Sequence, residues 1–481
     1  MKQKLVTALV FLFAIHASAQ NEVDALRYSF HETPMTARSL GTGGAFGALG
    51  ADVSSFFHNP AGLGVYKRGG IELSLGLNDQ FTRSTYMNEG ADNGKTHVNL
   101  NNIGLIGSQQ GENSDWKNFN FGVAYAKTNN FYENFSIKGT SESSLLFPFS
   151  IQANGVSPSE LYDYFPFTAG IAADAGLIIP GDTSGLYYYP ASAGELKQQK
   201  SVTRTGSMGE TSFGFGTNYR DLIYFGMTVN FQSVRFIEKS IYTETFDDDQ
   251  PVKEFAYNEQ LRSDGSGVNA KFGIIVKPSE WLRVGAAFHT PSRITLHETY
   301  FTSITANPAN GSTDSYNSPD LITDYSVRTP SVTMANAAFI LGKIGVISTD
   351  YEYKNYDRIR MRGTSTNDYD YKSENTVIST IYRSTHKVRV GLEMRILGTY
   401  YVRTGAIYQQ NPLVNDAGAV NNPFITYTGG IGFRNDHVCV DVGLGYTTKD
   451  STYYLYDPRF VEASNMRTQL INGLVSFGYR F

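Results

Sequence analysis

The sequence predicts an all-β protein: a 14-stranded antiparallel transmembrane β-barrel whose N-terminal segment lies inside the lumen as a hatch, or plug. Three features of the 481 residues support this prediction. The chain opens with an export signal, apolar and polar residues alternate along most of its length, and its last strand ends on an aromatic residue. Such alternation in an exported chain is typical of a barrel that crosses a membrane with strands.

The composition is that of a strand-rich chain. It has 32 Tyr, 31 Phe and 47 Gly but only 16 Pro; aromatic residues favour strands, and glycine marks turns and bends. The formal charge of -5 argues against a nucleic-acid partner, because such a protein would carry a basic patch. The single cysteine, Cys439, excludes an internal disulfide framework and a cysteine-rich metal site. We therefore expect no metal and no cofactor.

Residues 1–19 form a secretory signal peptide. Lys2 and Lys4 precede an apolar run from Leu5 to Ile15, and Ala17-Ser18-Ala19 supplies the small residues of a cleavage site. The apolar run is too short for a membrane-spanning helix, which needs about 20 residues. We expect export and a mature chain that starts near Gln20.

The stretch from residue 36 to residue 64 is rich in glycine and almost free of charge. Glycine permits tight turns and close approaches of the backbone, and Asn59-Pro60 fixes a turn. This composition suits a segment inside a confined space, so we assign residues 20–68 to the hatch. A glycine-rich loop ahead of an ordinary strand is the alternative.

Strands follow with a period of two residues. From His386 onward, Val388 and Val390 share one face while Lys387 and Arg389 share the other. The same pattern occurs at residues 223–232, 282–289 and 438–446. Bulky residues on one face and Gly, Asn, Arg or Asp on the other fit a lipid-facing surface and a polar lumen better than a packed core.

The connections between strands alternate in length, as they do in outer-membrane barrels. Short links occur at residues 111–113, 219–221, 278–280, 341–343, 397–399 and 434–436. Longer ones occur at residues 85–95, 139–200, 247–251, 303–321, 363–375, 411–423 and 449–467. They predict a barrel over residues 69–481 with both termini periplasmic and an extracellular insertion at residues 139–200. Sixteen strands remain an alternative, because residues 264–267 could turn and the alternation slips at Asn101-Asn102, as at a β-bulge.

The last strand places Ile471, Val475, Phe477 and Tyr479 on one face and ends at Phe481. A terminal Phe on such a strand resembles the signal by which bacterial outer-membrane proteins reach the barrel-assembly machinery. We therefore expect that machinery to be a partner of the chain.

Two groups of residues are candidates for ligand binding. Apolar residues of the insertion could form an extracellular capture surface or the insertion's own core; they are Leu146, Phe147, Phe149, Leu161, Phe165 and Phe167. Cationic residues are expected to face the lumen; they are Arg283, Lys387, Arg389, Arg395 and Arg403. These charges should pair with carboxylates and with the hatch, although one or two arginines could instead bind a ligand carboxylate.

The signal peptide, the segment ending in Asn59-Pro60-Ala61-Gly62 and the strands ending at Phe481 resemble the FadL/TodX (OMPP1) family of outer-membrane transporters. That family carries long-chain fatty acids and aromatic hydrocarbons. The most specific motifs are Ala37-Arg38-Ser39-Leu40-Gly41, the run over residues 51–63, and Trp281-Leu282-Arg283-Val284-Gly285.

The resemblance implies that the N-terminal segment is a hatch held by Asn59, Pro60 and Ala61, with Gly62 completing the turn. His58 stands where relatives usually carry an aromatic residue, commonly Tyr. In the family, a kink in the third strand opens the wall sideways. Here residues 127–130 interrupt that strand and put Lys127 and Asn129 on its lipid-facing side, unless these polar residues simply lie beyond the membrane.

The function implied is uptake of a hydrophobic small molecule across the bacterial outer membrane, by a monomer surrounded by outer-membrane lipid. Two alternatives stay open. One is a haem receptor, for which His58, His97 and His289 are available. The other is a barrel that docks proteins of the type IX secretion system. An enzyme is not expected, because the eight His are scattered and no Ser–His–Asp arrangement is evident.

Overall fold

The computed structural model describes residues 21–111, 114–181, 185–309, 311–414 and 420–481. The predicted signal peptide, residues 1–19, lies outside the described residues. So do two residues of the predicted turn at 111–113 and part of the predicted loop at 411–423.

Twenty-one strands cover most of the described chain. They are β1 Gly70–Tyr86, β2 Glu89–Gln110, β3 Trp116–Asn130, β4 Glu133–Ser141, β5 Ile178–Pro180, β6 Tyr188–Pro190, β7 Leu196–Tyr219, β8 Ile223–Phe246, β9 Val252–Ser279, β10 Leu282–His289, β11 Arg293–Pro308, β12 Asp314–Asn317, β13 Leu321–Arg328, β14 Val332–Leu341, β15 Gly345–Asn355, β16 Arg360–Gly363, β17 Ser384–Ile396, β18 Tyr400–Gln409, β19 Phe424–Arg434, β20 Val438–Tyr453 and β21 Ser464–Arg480. All strand pairs are antiparallel.

Fourteen of these strands form a closed wall. The order around it is β1, β2, β3, β7, β8, β9, β10, β14, β15, β17, β18, β19, β20 and β21, and β21 pairs with β1. Strands β4, β11, β13 and β16 continue this wall beyond short breaks, on the side of the long connections. The predicted 14-stranded barrel is therefore confirmed.

The two places that allowed sixteen strands are both resolved in favour of fourteen. Strand β9 runs through residues 264–267 without a turn, paired with β8 on one side and β11 on the other. At the predicted bulge, Ser74 faces Asn102 while Leu75 faces Leu100, so Asn101 is the extra residue.

The wall is apolar outside and polar inside. In β17, Val388, Val390 and Met394 are exposed, whereas Arg389 and Glu393 are buried. The exposed apolar side chains form a belt around the barrel; it includes Ile71, Phe121, Phe213, Phe225, Phe231, Val268, Phe272, Phe288, Phe339, Ile431, Leu444 and Phe477. This polarity is the one a membrane-spanning barrel requires, because the outer surface meets lipid.

The strands run further beyond the membrane than the sequence predicts. The predicted loop at 85–95 is wrong: β1 and β2 pair as far as Tyr86 and Glu89, and only Met87 and Asn88 form the turn, both at positive φ. The insertion likewise begins after Ser141 and ends before Leu196. Outside the membrane both faces of a strand can be polar, so the apolar alternation that marks a strand disappears there.

Six α-helices and three 3₁₀ helices are present among the described residues. They are α1 Glu22–Ser29, α2 Ala37–Gly41, α3 Leu146–Ala153, α4 Leu161–Tyr164, α5 Ala169–Asp174, α6 Lys372–Ile381, and the 3₁₀ helices Val53–Phe56, Pro60–Val65 and Tyr356–Arg358. A capping box between Asn21 and Asp24 starts α1. Within the described ranges, every helix is too short or too polar to cross a membrane.

The N-terminal segment, residues 21–68, lies against the inner surface of the wall. Helix α2 packs on β18, β19, β20 and β21, and the 3₁₀ helix Pro60–Val65 packs on β3, β7, β8 and β9. The wall has glycine where the two meet closely. A Cβ on Gly226 would lie 2.0 Å from the Pro60 carbonyl oxygen, and one on Gly273 would lie 1.9 Å from Asn59 Oδ1. Because glycine has no side chain, the backbone of the segment can lie directly against the strands at these positions.

The insertion packs on the extracellular extension of the wall. Its helices bury Leu146, Phe149 and Leu161 in one cluster with Tyr242 of β8 and Phe255 of β9. The insertion and the wall beneath it therefore share one hydrophobic core.

Candidate functional site

Polar contacts hold the N-terminal segment to the wall from several sides. The Ala37 amide donates to Ser476 Oγ at 2.8 Å. The Phe46 and Gly47 amides both donate to Asp350 Oδ2 at 2.9 Å. Asn120 Nδ2 donates to the Leu63 carbonyl at 2.6 Å. These partners belong to β21, β15 and β3, so the segment is tied to strands far apart around the ring.

The predicted hatch turn at Asn59, Pro60, Ala61 and Gly62 is buried. Asn59 Oδ1 accepts from the Ala61 amide at 3.1 Å and so caps the 3₁₀ helix, with Pro60 at its first position. Asn59 Nδ2 donates to the Gly47 carbonyl at 2.8 Å and to Asn336 Oδ1 at 3.3 Å. The Asn59 side chain thus connects the start of the 3₁₀ helix, the backbone at Gly47 and strand β14.

His58, the departure from the family pattern, faces a carboxylate. Its Nε2 lies 3.0 Å from Asp350 Oδ2, the oxygen that also accepts from the Phe46 and Gly47 amides. The His58 carbonyl is 2.8 Å from His289 Nε2. A polar contact therefore occupies the place where an aromatic residue was expected.

The predicted lumen charges form a chain of buried ion pairs that reaches the segment. Arg38 binds Glu393 with two hydrogen bonds, both of 2.9 Å. Arg403 donates to Glu393 Oε2 at 2.6 Å and lies 2.7 Å from Asp441 Oδ1. The low exposure of all four side chains makes each dependent on its partners.

The other predicted lumen cations differ in their surroundings. Arg389 donates to Glu352 Oε2 at 2.7 Å and to Thr33 Oγ1 at 3.2 Å, and Arg283 donates to the Leu49 carbonyl at 2.9 Å. Lys387 is buried beside Arg389. Arg395 is exposed at the periplasmic rim and donates to the Gly398 carbonyl. Arg389 and Arg403 thus each pair with carboxylates of the wall, and Arg389 also contacts Thr33 of the segment.

Arg38 is the functional residue that the sequence analysis missed. It supplies the segment's own half of the ion-pair chain. A signal was present, because Arg38 and Asp52 are the two charged residues between positions 36 and 64. A charge retained in an otherwise neutral buried segment needs a partner of opposite sign.

A cavity of about 650 Å³ lies on the extracellular side, between helix α3, helix α1 and the upper wall. Seven aromatic side chains line it: Phe149, Tyr242, Tyr257, Tyr300, Tyr453, Tyr456 and Phe460. Its volume is in the range of sites that enclose a small organic molecule. An aromatic lining of this kind offers apolar contact together with a few hydroxyl groups.

The floor of this cavity carries charges that are already paired. Arg204 lies 2.8 Å from Glu133 Oε2 and also contacts Glu238. Lys200 lies 3.4 Å from Glu259 and donates to the Leu455 carbonyl at 2.9 Å. The floor is therefore polar without an excess of either sign.

The six predicted capture residues fall into three groups. Phe149 lines the cavity. Leu146 and Leu161 are buried in the core of the insertion. Phe147 is exposed and packs against Phe460, and Phe165 and Phe167 are half-buried.

Most of the cavity's aromatic residues come from the wall. Tyr242, Tyr257 and Tyr300 belong to β8, β9 and β11, and Tyr453 belongs to β20. The strand pattern could have indicated these residues. Tyr242 and Asn230 are an even number of positions apart in β8, so both side chains point to the inner face of the wall.

The wall is interrupted between β2 and β3. Their ladder runs from Gln110 and Asn118 to Asn102 and Ala126. Beyond that point β2 pairs with β1, while β3 and β4 pair with β7. The register of β3 shifts at residue 128, and the strand breaks before β4. In place of the predicted interruption at residues 127–130, β3 has a one-residue bulge at Thr128 and continues to Asn130.

A second cavity, of about 150 Å³, lies at this gap. Met35 and Leu40 of the N-terminal segment line it, together with Asn101 and Lys127 at the edges of the gap. The prediction that Asn129 faces lipid is wrong: its Nδ2 donates to the Phe30 carbonyl at 3.0 Å, inside the barrel. The extra residue in β3 reverses the alternation beyond it.

No family model matches the chain, and no curated protein matches it. Solved structures do. A Pseudomonas aeruginosa FadL homologue is 12% identical with a TM-score of 0.56, over 94% of this chain and 99% of that one. The Pseudomonas putida toluene transporter TodX is 13% identical with a TM-score of 0.54, over 94% and 100%.

The Ralstonia pickettii toluene transporter TbuX gives the same result, with 14% identity and a TM-score of 0.53 over 93% of this chain and 99% of that one. At such identities the similarity concerns the fold. The closed wall, its apolar belt and this similarity over nearly the whole length lead to one conclusion: the chain is an outer-membrane β-barrel with the FadL-type fold.

Proposed function

We propose that this barrel takes up a hydrophobic compound, such as a long-chain fatty acid or an aromatic hydrocarbon, from outside the cell. The observation that carries the proposal is the aromatic cavity of about 650 Å³ directly outside the N-terminal segment. An apolar ligand leaves water on entering it; burial of about 200 Å² of apolar surface contributes about 5 kcal/mol. The cavity is the capture site.

The route onward leads sideways. The N-terminal segment lies inside the wall below the cavity and is held to it by the Arg38–Glu393 ion pair and by hydrogen bonds to Ser476 and Asp350, so a straight path would require these contacts to break. The end of the β2–β3 ladder lies beside the segment, at the second cavity, and we infer that the ligand leaves the barrel there. Residues 21–35 contribute to both cavities. A local shift of this stretch would let the ligand pass from the first cavity to the second.

An apolar molecule that leaves through the gap enters the hydrocarbon interior of the bilayer. A hydrophobic ligand loses nothing on moving from an aromatic cavity into the bilayer, whereas passage through a polar lumen would expose it to water. The structurally similar proteins TodX and TbuX are toluene transporters, which supports this ligand class.

Introducing a charged residue into the cavity lining tests whether the cavity binds the ligand. Ile151 lines the cavity and is 44% exposed. Ile179 of β5 belongs to the same insertion, is 47% exposed and lies outside the cavity lining, so Ile179→Glu is the matched control. We expect Ile151→Glu to retain about tenfold less labelled oleate or toluene than the control, because a carboxylate beside an apolar ligand loses hydration.

Extraction of the purified barrel, followed by mass spectrometry, provides the second readout. Bound acyl chains or aromatic hydrocarbons support the proposal. Haem absorbance, or a secreted protein that co-purifies without any lipid-soluble ligand, would overturn it. Equal retention by the two isoleucine variants would remove the cavity from the route.

A further inference from the structure

Three arginines stand side by side on the outer surface of the wall. Arg293 of β11 is directly opposite Arg328 of β13, and Arg328 is directly opposite Arg360 of β16. Their chain neighbours Ile294, Val327 and Met361 are fully buried inside the barrel. Since successive side chains of a strand point to opposite faces, the three arginines, here called the arginine row, point outward.

The arginine row continues the upper edge of the apolar belt. The residue opposite Arg293 in β9 is Val268, and the residue opposite Val268 in β8 is Phe231; both are exposed and apolar. Phe288 is exposed as well and lies opposite Phe272, which follows Val268 by four residues in β9 toward the side of the short turns. The row therefore lies where the hydrocarbon of the outer leaflet gives way to its head groups.

Like charges directly opposite each other on neighbouring strands destabilise a sheet. Elsewhere this wall compensates them. Arg83 is directly opposite Arg467, but Arg83 lies 2.7 Å from Asp92 and Arg467 lies 3.8 Å from Asp450. Each charge of that pair has its own carboxylate.

The arginine row has no such compensation. Across the part of the chain that the structure describes, Arg293 and Arg328 make no ion pair, and Arg360 donates only to the carbonyls of Asp357 and Ile359. Two carboxylates of the neighbouring strands already have partners: Asp264 pairs with two arginines, and Asp324 pairs with His297. Arg362, next to the row, is exposed as well. The chain as a whole carries a charge of -5, so this basic patch is local.

We propose that the arginine row binds the phosphate of a phosphorylated glycolipid in the outer leaflet. The guanidinium group presents two parallel donors that match phosphate oxygens. Neighbouring strands are about 4.8 Å apart, so two forks can reach one phosphate. The acyl chains of the same lipid would lie along Phe231, Val268 and Phe288 below. A lipid contacts both the arginine row and the apolar belt, whereas a free phosphate ion would contact the arginine row alone.

The test compares two double variants of the full barrel in neutral detergent. Arg293→Gln with Arg328→Gln removes two charges from the row. Arg83→Gln with Arg467→Gln removes two facing arginines that already have carboxylates. The probe is lipid A with two phosphates, and native mass spectrometry measures the bound fraction. We expect the row variant to bind at least about tenfold more weakly than wild type, and the control variant to bind like wild type.

Two further arms identify the ligand chemistry. Lipid A without phosphates should bind no better to wild type than to the row variant. Inorganic phosphate at equal concentration should not displace the lipid. The proposal fails if the two variants bind alike, if the dephosphorylated lipid binds as tightly as the phosphorylated one, or if inorganic phosphate displaces it. Heat-dependent gel mobility confirms that both variants are closed barrels.

Discussion

At the scale of single residues, a buried carboxylate joins the N-terminal segment to the wall. Glu393 lies between Arg38 of the N-terminal segment and Arg403 of the wall. Loss of one partner from such a site costs about 3–5 kcal/mol, because the remaining charge stays buried without compensation. The position of the segment therefore depends on a few side chains.

Glu244 has a similar task outside the membrane, near the extracellular end of β8. It accepts from Ser144 Oγ at 2.5 Å and from the Leu145 amide at 2.7 Å, so it fastens the start of the insertion to the wall. Burial raises the pKa of Glu244 from 4.5 to about 7.

This raised pKa predicts that the insertion loosens as the pH rises. Between pH 4.5 and about 7 the closed insertion holds a proton on Glu244 that the opened form releases. The free energy of opening the insertion therefore decreases as the pH rises across this window, and it levels off above the window. We expect the hydrogen exchange of the Leu145 amide, corrected for the intrinsic rate, to accelerate across the window in wild type and to stay level in Glu244→Gln. An unchanged pH profile in the variant would contradict this assignment.

At the scale of elements, one extra residue in β3 lies next to the end of the β2–β3 ladder. Lys127 faces Gly209 and Asn129 faces Met208, so Thr128 has no partner across the strand. Deletion of Thr128 leaves every later residue with its present partner and face. It removes only the local distortion beside the gap.

We expect deletion of Thr128 to lower uptake of a labelled hydrocarbon while the purified barrel still retains ligand, because the exit narrows and the capture cavity is unchanged. The matched control is deletion of Lys117, the extra residue at the periplasmic end of the same strand. Uptake assays in cells and retention by purified protein separate the two steps. Equal uptake by both deletion variants would contradict a role for the gap.

The elements also show what the sequence can and cannot predict. Alternation identifies β17 and β20, because one face of each meets lipid. It fails for the Met87–Asn88 turn, because the outer face of the strands beside it carries exposed polar residues such as Arg83, Thr85 and Asp92 in place of apolar ones. The six capture candidates were chosen for apolarity alone, which cannot separate Phe149 on the cavity from Leu146 in the core. That distinction arises from packing between distant parts of the chain.

At the scale of the whole molecule, the N-terminal segment and the wall form one closed body. The wall alone would enclose a polar lumen, and the segment occupies that space with buried residues from position 36 to position 66. Deletion of residues 21–64 is therefore expected to create a water-filled channel.

Conductance in planar bilayers measures this effect. We expect the deletion variant to conduct ions steadily, the intact chain to stay closed, and Arg38→Met, which removes the segment's contact with Glu393, to open intermittently. A deletion variant that inserts as a closed barrel and does not conduct would show that the segment does not seal the lumen.

The tight fit between Gly226, Gly273 and the turn at Asn59 has a consequence for biogenesis. The turn lies so close to the wall at both positions that even a Cβ atom on either glycine would clash with it. The Ala37 amide also bonds Ser476 in β21, the strand that seals the seam with β1. We therefore expect the N-terminal segment to lie against the growing sheet before β21 pairs with β1 and completes the ring.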